Sequence, residues 1–440
     1  METVERAGAA RFAPIDPAGL GSQLHCFIRE LYPICRSITG EGLRKTLRRI
    51  GARIPLAVTE VPTGTPVFDW TVPREWNIRD AYIKDSAGKT LVDFRCSNLH
   101  VVNYSVPVRE RMPLAALKQH LFTLPDHPHW TPYLTSYYND TWGFCLAHER
   151  LLEMKDAEYE VVIDSSLEDG ALSYGECFLP GERSDEVLIS AHTCHPSLCN
   201  DNLSGIAVAV FLAALLRGAS LRYSYRFLFA PGTIGTITWL ALHESRVSDI
   251  KGGFVLTCVG DRSPCTYKKS RLGNAEIDRA FEQVLRHAGL PYRIQEFSPS
   301  GFDERQFCSP GFDLPVGCFM RAGSGYAENH TSADDLDLVS PSALAESLLR
   351  CWTVIDLLEN NRTYIGRVQK CEPQLSKRGL YRTLGGRAPT GEEENAMRWV
   401  LNFSDGENSL LDIAERSGIS FEILRSAAEA LLRSELLRAT

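Results

Sequence analysis

Apolar residues recur at helical spacing near the start of the chain and at strand spacing further along it. Across residues 21–32 they return every three or four positions, and a second helix is predicted in GEGLRKTLRRI, residues 40–50. Between residues 55 and 132, short β-branched and aromatic runs are separated by prolines and turn residues. This change in the residue pattern predicts two helices followed by a small β-dominated unit.

From about Tyr159 the pattern alternates between strands and helices. Strand-like runs (EYEVVIDSSL, DEVLISAH, RYSYRFLFA and GFVLTCVG) are separated by apolar helical runs such as Ile206–Leu216. Such alternation is typical of the α/β class, in which helices cover a sheet. We therefore predict an α/β sandwich with a mixed sheet, into which the β-dominated unit is inserted.

The most informative stretch is VLISAHTCHPSLCNDNLSGIA, residues 187–207, where an apolar strand is followed by polar residues and then by a helix. The polar residues include His192, His195 and Asp201, which are metal-ligand types. An HxxH pattern alone is more often coincidence than a metal site. Its position at the end of a strand strengthens the signal, because side chains at the carboxyl ends of parallel strands can converge on one ligand.

Two further polar clusters follow in the α/β segment. One contains Asp303 and Glu304 ahead of the strand-like run GFDLPVGCFM, and the other is ENHTSAD, which contains His330. Each cluster alone is more often a solvated turn, with Asp334 turning or capping the chain. Three clusters at successive strand ends are harder to explain in that way, so the sequence predicts a site built from all three.

Length and composition limit the classes of protein that remain. A chain of 440 residues with 44% apolar residues predicts two or three folded domains. The sequence contains neither an apolar run long enough to span a membrane nor an N-terminal export signal, so we expect a cytoplasmic protein. Its 13 cysteines follow no regular framework, which favours reduced, buried thiols, and the net charge of −8 argues against a dominant nucleic-acid-binding surface.

The C-terminal stretch predicts a compact helical unit with a helix-turn-helix pattern. Residues 405–438 carry seven acidic against four basic side chains, a balance of −3. Because phosphate contacts dominate affinity for DNA, an acidic unit of this kind is a poor DNA reader. A packing role, or a role in forming a homo-oligomer, is favoured.

The motifs of the α/β segment resemble those of the co-catalytic zinc aminopeptidases. The shared features are a strand ending in His192, the run DNLSG that begins with Asp201, the segment FDERQF with Asp303, and HTSAD with His330. The whole chain also resembles a bacterial aminopeptidase-like family of unknown function that is linked to polysaccharide or natural-product gene clusters. The motifs LYPICRSITGEG, VFDWTVPREWNIRDAYI, NLHVVNYSVPV, AHTCHPSLCNDNLSG, APGTIGTITWL and HTSADDLD carry this second resemblance.

The resemblance implies three domains. A zinc-aminopeptidase-like α/β/α sandwich is expected over residues 19–54 and 150–368, and a protease-associated-like β-rich domain is expected over residues 55–149. A winged helix is expected over residues 369–440. The inserted domain is expected to cover the zinc cleft and to limit access to small substrates.

The resemblance also implies a ligand set, from which this chain departs. His192, Asp201 and Asp303 would hold one zinc ion, with His330 as a further ligand or as the group that polarises a substrate carbonyl. The aminopeptidases carry a Glu-Glu pair that supplies the general base and a ligand of a second zinc, whereas this chain has glycine and threonine at positions 232 and 233. A single zinc per chain is therefore expected, although manganese or iron would also suit these ligands.

The missing glutamates leave the proton acceptor open between His195 and Glu304. His195 could instead be an extra ligand. The leading hypothesis is a metal-dependent amide hydrolase acting on a small peptide or an aminoacyl conjugate. Two alternatives remain at this point, a single-zinc acyltransferase or cyclase and a non-catalytic scaffold.

Overall fold

The structure is a computed structural model that describes residues 17–323, 325–380 and 391–440. The described residues form two compact units. The larger unit contains residues 17–273 and 293–349, and the smaller contains residues 274–292, 350–380 and 391–440.

The larger unit begins with the two helices that the apolar spacing predicts, followed by a strand. These elements are α1 (Pro17–Leu31), α2 (Glu41–Gly51) and β1 (Ala57–Pro62). Helix α1 buries one apolar face, on which Leu24 and Phe27 are fully buried. Strand β1 pairs antiparallel with residues 171–176 of the large sheet, so the α/β domain reaches beyond its predicted end at residue 54.

The inserted region follows and consists mainly of strands. Its elements are β2 (Pro66–Val67), β3 (Trp70–Thr71), β4 (Glu75–Lys84), β5 (Thr90–Asp93), β6 (Val108–Pro113), α3 (Leu114–Leu117), β7 (Leu121–Phe122), β8 (Phe144–Cys145), α4 (His148–Glu153) and β9 (Glu158–Glu168). Strands β5, β4, β9 and β6 form one antiparallel sheet, in that order. Its buried face includes Ile83, Val161 and Ile163, which gives the insert a core of its own.

Strand β9 corrects a predicted boundary. The run EYEVVIDSSL was expected to belong to the α/β sheet, with the insert ending at residue 149. The run instead pairs with β4 and β6, so the small sheet extends to Glu168. The sequence pattern could not reveal this, because strands of either sheet are apolar and strand pairing is decided by long-range contacts.

The chain from residue 171 to residue 360 supplies the remaining strands of the large sheet and further helices, of which residues 274–292 and 350–360 belong to the smaller unit. The elements are β10 (Ala171–Leu179), β11 (Glu186–His192), α5 (Gly205–Leu216), β12 (Ser224–Ala230), α6 (Ile234–His243), β13 (Ile250–Leu256), β14 (Cys265–Lys268), α7 (Glu276–Arg286), β15 (Tyr292–Gln295), α8 (Glu304–Phe307), β16 (Val316–Met320) and α9 (Pro341–Asn360). The eight-stranded sheet has the order β1-β10-β12-β11-β13-β16-β14-β15. Strands β12, β11, β13 and β16 run parallel at its centre, and antiparallel neighbours flank them, so the sheet is mixed as predicted.

Helix α5 and the turn before it form the most apolar helical stretch. Cys199–Leu216 is long and apolar enough to span a membrane, yet 89% of it is buried inside the protein. That burial is typical of a core helix. All 13 cysteines lie in the described ranges as free thiols, and nine of them are buried.

The C-terminal part has the strands and helices of a winged helix. Its elements are β17 (Thr363–Gly366), α10 (Gly391–Phe403), β18 (Asp405–Ser409), α11 (Leu410–Ser417), α12 (Phe421–Arg433) and β19 (Leu437–Ala439). Strand β17 is the middle strand of the sheet β18-β17-β19, so the domain begins before its predicted start at residue 369. Residues 381–390 of the predicted domain lie outside the described residues.

Candidate metal centre

The candidate site begins where the central strand β11 ends. His192 is the last residue of β11, which lies between the parallel strands β12 and β13. The side chain of His192 is buried, with 5% of its surface exposed. The chain then turns through His195 and Asp201 before entering helix α5, which places these polar groups at the carboxyl end of the sheet.

Three imidazoles surround the carboxylate of Asp201. The Nε2 atom of His192 lies 2.8 Å from Oδ1 of Asp201, and the Nε2 atom of His330 lies 3.1 Å from Oδ2. The Nε2 atom of His195 lies 3.1 Å from Nε2 of His330 and 3.9 Å from the same Oδ2. The donor atoms of His192, His195 and Asp201 all lie within 4.8 Å of one another. The metal-ligand atoms therefore form two overlapping sets of three. One set is His192, His195 and Asp201, and the other is His195, His330 and Asp201.

A second carboxylate fixes the loop that carries Asp201. Asp334 accepts hydrogen bonds from the backbone N–H groups of Asn200 and Asp201, the latter at 3.0 Å, and from the Tyr326 hydroxyl, also at 3.0 Å. Burial raises the pKa of Asp334 to about 7, and the hydrogen bonds from the backbone oppose this rise. The HTSAD motif thus supplies His330 to the site and uses Asp334 to hold the neighbouring loop.

The charges at the site favour an ionised carboxylate beside a neutral imidazole. Burial opposes ionisation of Asp201, but the surrounding histidines, His195 foremost, lower the pKa of Asp201 well below its usual range. Burial lowers the pKa of His195 to about 3, and the neighbouring imidazoles of His192 and His330 act in the same direction while Asp201 opposes them. A neutral imidazole has a free lone pair, which is the form that binds metals.

Cys194 lies between the two histidines of the motif and contacts His195. Its Sγ atom lies 3.1 Å from Nδ1 of His195 and accepts the backbone N–H of Gly232 at 3.2 Å. Burial raises the pKa of the Cys194 thiol to about 12, so the group stays neutral at physiological pH. Cys194 therefore contacts the ring nitrogen of His195 on the side opposite to the donor cluster, where it can orient the ring.

Asp303 is placed beside the cluster but outside its closest set. Its carboxylate accepts the backbone N–H of Thr233 at 2.8 Å and the hydroxyl of Thr236 at 3.0 Å, both at the start of helix α6. The ring of Phe302 stacks on His192 with 6.0 Å between ring centroids. The resemblance implied His192, Asp201 and Asp303 as one ligand set, with His330 as a further ligand or carbonyl polariser. In the structure His192, Asp201 and His330 lie together with His195, and no hydrogen bond joins Asp303 to them among the described residues.

Glu304, predicted as a possible proton acceptor, pairs with a buried lysine. It is fully buried, and its Oε1 accepts a hydrogen bond from Lys268 Nζ at 2.8 Å. Lys268 belongs to β14, three strands from β11, which corresponds to about 14 Å of sheet. Burial raises the pKa of Glu304, and Lys268 opposes that rise. No hydrogen bond joins Glu304 to the three histidines among the described residues, and its Oε2 atom is buried without a partner there.

The inserted domain contributes residues that sequence reasoning missed. Its backbone joins the His330 loop through an antiparallel bridge between Pro132 and Thr331, which is made of the hydrogen bonds from Tyr133 N to His330 O and from Ser332 N to Thr131 O, both 2.8 Å long. The ring of Tyr133 packs against His195 and His330, with centroid distances of 5.2 and 5.4 Å. The insert thus lies over the candidate site. Aromatic residues in the run HWTPYLTSYYND were the only available signal, and it equally fits a core of the insert.

A buried arginine lies beneath the His195 loop. Arg36 is 0% exposed, its Nε donates to the carbonyl of His195 at 3.0 Å, and one Nη donates to Leu31 O at 2.7 Å. Burial lowers the pKa of Arg36 to about 10, which leaves it charged at neutral pH. The motif LYPICRSITGEG therefore contributes a cation that fixes the backbone beside the metal-ligand candidates.

Replacing Arg36 with methionine is expected to destabilise the protein and to weaken metal retention. The two carbonyls would lose charge-assisted hydrogen bonds, at a cost of about 2 kcal/mol in the free energy of unfolding. Thermal melts with and without zinc would measure both effects. The exposed Arg29→Met variant is the matched control. Equal melting behaviour of the two variants would show that Arg36 does not hold the loop.

Comparison with known proteins agrees with the fold. The sequence profile of a family described as a domain of unknown function (DUF4910) matches residues 25–361, and that of a winged helix-turn-helix matches residues 362–439. A protein of Clostridium acetobutylicum, named for polysaccharide biosynthesis and an aminopeptidase-like domain, is 53% identical over 418 residues, which cover 95% of this chain and 96% of that protein.

Two solved structures extend the comparison. A crystal structure of a protein described as a peptidase from Clostridium acetobutylicum has a TM-score of 0.93 and 51% identity, covering 96% of this chain and 97% of that chain. A zinc aminopeptidase from Bacillus subtilis has a TM-score of 0.58 at 12% identity, covering 79% and 96%, and so shares the fold. The chain has an aminopeptidase-like α/β fold with a C-terminal winged helix, and it belongs to the DUF4910 family.

Proposed function

We propose that the protein is a metal-dependent amide hydrolase that acts on a small peptide or an aminoacyl conjugate. The main support for the proposal is that three histidines surround the buried carboxylate of Asp201 at the carboxyl end of the central strand. The similarity in fold to a zinc aminopeptidase supports the choice of metal. The name of the Clostridium relative supports a substrate in polysaccharide biosynthesis.

The donor set fits zinc. Zinc in proteins binds imidazole nitrogen and carboxylate oxygen in tetrahedral sites, whose ligand atoms lie ~3.4 Å apart for bonds of about 2.0–2.1 Å. His330 Nε2 lies 3.1 Å from both His195 Nε2 and Asp201 Oδ2, and His195 Nε2 lies 3.9 Å from Asp201 Oδ2. These separations are close to the spacing of ligand atoms around zinc. We therefore propose that these three residues hold one zinc ion per chain, with His192 bound to the other oxygen of Asp201.

The chain's own groups would prepare the site for an amide. Zinc in such a site polarises a carbonyl and supplies a nucleophile at neutral pH. Cys194 and Arg36 hold His195 from its ring nitrogen and its carbonyl, and Tyr133 shields the rings of His195 and His330. With His195 as a ligand and Glu304 paired with Lys268, neither residue proposed from the sequence is favoured as the proton acceptor.

Metal removal tests this proposal. Purified protein is expected to contain about one zinc per chain and to hydrolyse members of a panel of aminoacyl amides and conjugates, and treatment with a chelator is expected to abolish that turnover. Metal analysis and product detection would be made on the same samples. Restoring activity with zinc controls for irreversible damage. Turnover that survives complete metal loss would refute the proposal.

A second candidate is a metal-binding scaffold without hydrolytic activity. It is favoured by Gly232 and Thr233, which stand where the aminopeptidases carry the glutamates that act as base and ligand. A methyl group built on Gly232 would lie 3.4 Å from Cys194 Sγ and 3.7 Å from His192 Cβ, so this position faces the site but offers it no carboxylate. Stoichiometric zinc without turnover on any amide would support the scaffold.

A further inference from the structure

A cavity of about 540 Å³ is lined in part by Thr233, at the start of helix α6 and close to the candidate metal centre. Thr233 connects the two, because it lines the cavity while the preceding residue, Gly232, donates its backbone N–H to Cys194 Sγ beside His195. The other walls come from the β-rich insert through Trp70, from helix α6 and from the chain around α8. A volume of this size is typical of sites that bind small molecules.

The charged side chains that line this cavity are cationic. Arg271 and Arg305 line it, and no aspartate or glutamate is among the described residues that do. Arg271 is paired with Asp313 at 2.7 Å. Arg305 has no carboxylate within 4.0 Å among the described residues, and its guanidinium donates only a 3.3 Å hydrogen bond, to the Thr233 hydroxyl.

The Nε–H group of Arg305 is an unmet donor. The atom is buried and has no hydrogen-bond partner in the described part of the chain. A buried donor without a partner costs free energy, and the cost is larger for a charged group. A guanidinium presents its donors in a planar fork that matches the oxygens of a carboxylate or a phosphate. Because Arg305 also lines the cavity, the outer nitrogens of its guanidinium can meet an anion that enters there.

Much of the remaining lining is apolar, beside the polar residues Thr233, Gln306 and Ser309. Trp70, Phe297, Ile237 and Pro310 contribute to it, and 42% of the Trp70 side chain is exposed. Exposed aromatic surface beside a cation favours a ligand that has an apolar or aromatic portion as well as a negative charge.

We propose that this cavity binds an anionic group of the substrate, a carboxylate or a phosphate, attached to an apolar or aromatic portion. The inference rests on the proposed function, because Thr233 joins the cavity to the candidate metal centre. It narrows the proposed substrate to conjugates that carry an anionic group as well as the amide to be cleaved.

Binding measurements test the cavity without requiring turnover. Titration calorimetry on the full chain would compare 3-phenylpropanoate and phenyl phosphate with the neutral 3-phenylpropanamide, in zinc-loaded and chelator-treated protein. We expect the anions to bind at least about 10-fold more tightly than the amide. The ratio between the carboxylate and the phosphate would show which anion the site prefers.

Variants of Arg305 distinguish the cavity from the metal centre. Arg305→Gln is expected to lower affinity for the anions about 10-fold with zinc content unchanged, and Arg305→Lys is expected to retain part of it. Arg246→Gln removes an exposed charge away from the cavity and serves as the control, and thermal melts verify folding. Equal affinity for acid and amide, or anion binding unaffected by Arg305→Gln, would overturn the proposal.

The two proposals fail in different ways. If no amide is hydrolysed but anion binding depends on Arg305, the cavity stands and the hydrolase does not. A second result would separate them in the other direction. If zinc-dependent hydrolysis proceeds equally well on matched aminoacyl amides with glutamate and with glutamine side chains, and Arg305→Gln leaves the ratio of the two rates unchanged, the hydrolase stands and the anionic cavity does not.

Discussion

Asp201→Ala is expected to remove the bound metal and to abolish turnover while the protein remains folded. The carboxylate is the group on which His192, His195 and His330 converge, and its two oxygens face different imidazoles. Loss of a neighbouring partner that only orients a ligand typically costs 10–100-fold in metal affinity, so loss of this shared ligand should cost more than about 100-fold. Zinc content after gel filtration and turnover of an active aminoacyl amide would measure the effect.

The same variant should not unfold the chain. Asp334 binds the backbone N–H groups of Asn200 and Asp201 rather than the side chain of Asp201, so the loop keeps its anchor. Asp337→Ala, which removes an exposed carboxylate on the neighbouring loop, is the matched control. Normal zinc content in Asp201→Ala would exclude this residue from the metal centre.

His195→Ala is expected to lower zinc content as strongly as His330→Ala. The two Nε2 atoms lie 3.1 Å apart, and both approach the same oxygen of Asp201, an arrangement in which one cation can satisfy all three groups. Metal affinity should fall by about 100-fold or more in each variant, because two remaining protein ligands hold zinc poorly. Zinc titration with a competing chelator would give the affinities, and His129→Ala, a change at an exposed histidine, is the control.

This measurement also decides between the two roles considered for His195. If His195 only accepts a proton, His195→Ala should still contain about one zinc per chain while its turnover falls by about 10²–10⁴-fold. Normal zinc content with lost turnover would therefore contradict the ligand assignment. Cys194→Ala should weaken zinc less than His195→Ala, since the thiol contacts His195 only through Nδ1.

The sequence by itself determined the α/β class, the site's main stretch and the presence of an insert. Apolar strands alternating with apolar helices leave few alternatives to a covered sheet, and the residues after β11 must lie at its carboxyl end. Local order along the chain was enough for these conclusions. His192, Asp201 and His330 were found in this way because their types and their positions after strands agree.

Only the tertiary structure decided which donors meet. Asp303 and Glu304 are adjacent in sequence, yet one bonds the start of α6 while the other pairs with Lys268 on a distant strand. Similarly, β9 looked like a strand of the large sheet and joined the small one, and Tyr133 reached His330 across nearly two hundred residues. Side-chain direction and strand pairing depend on contacts between parts of the chain that are far apart in sequence, and periodicity along the chain carries no information about those contacts.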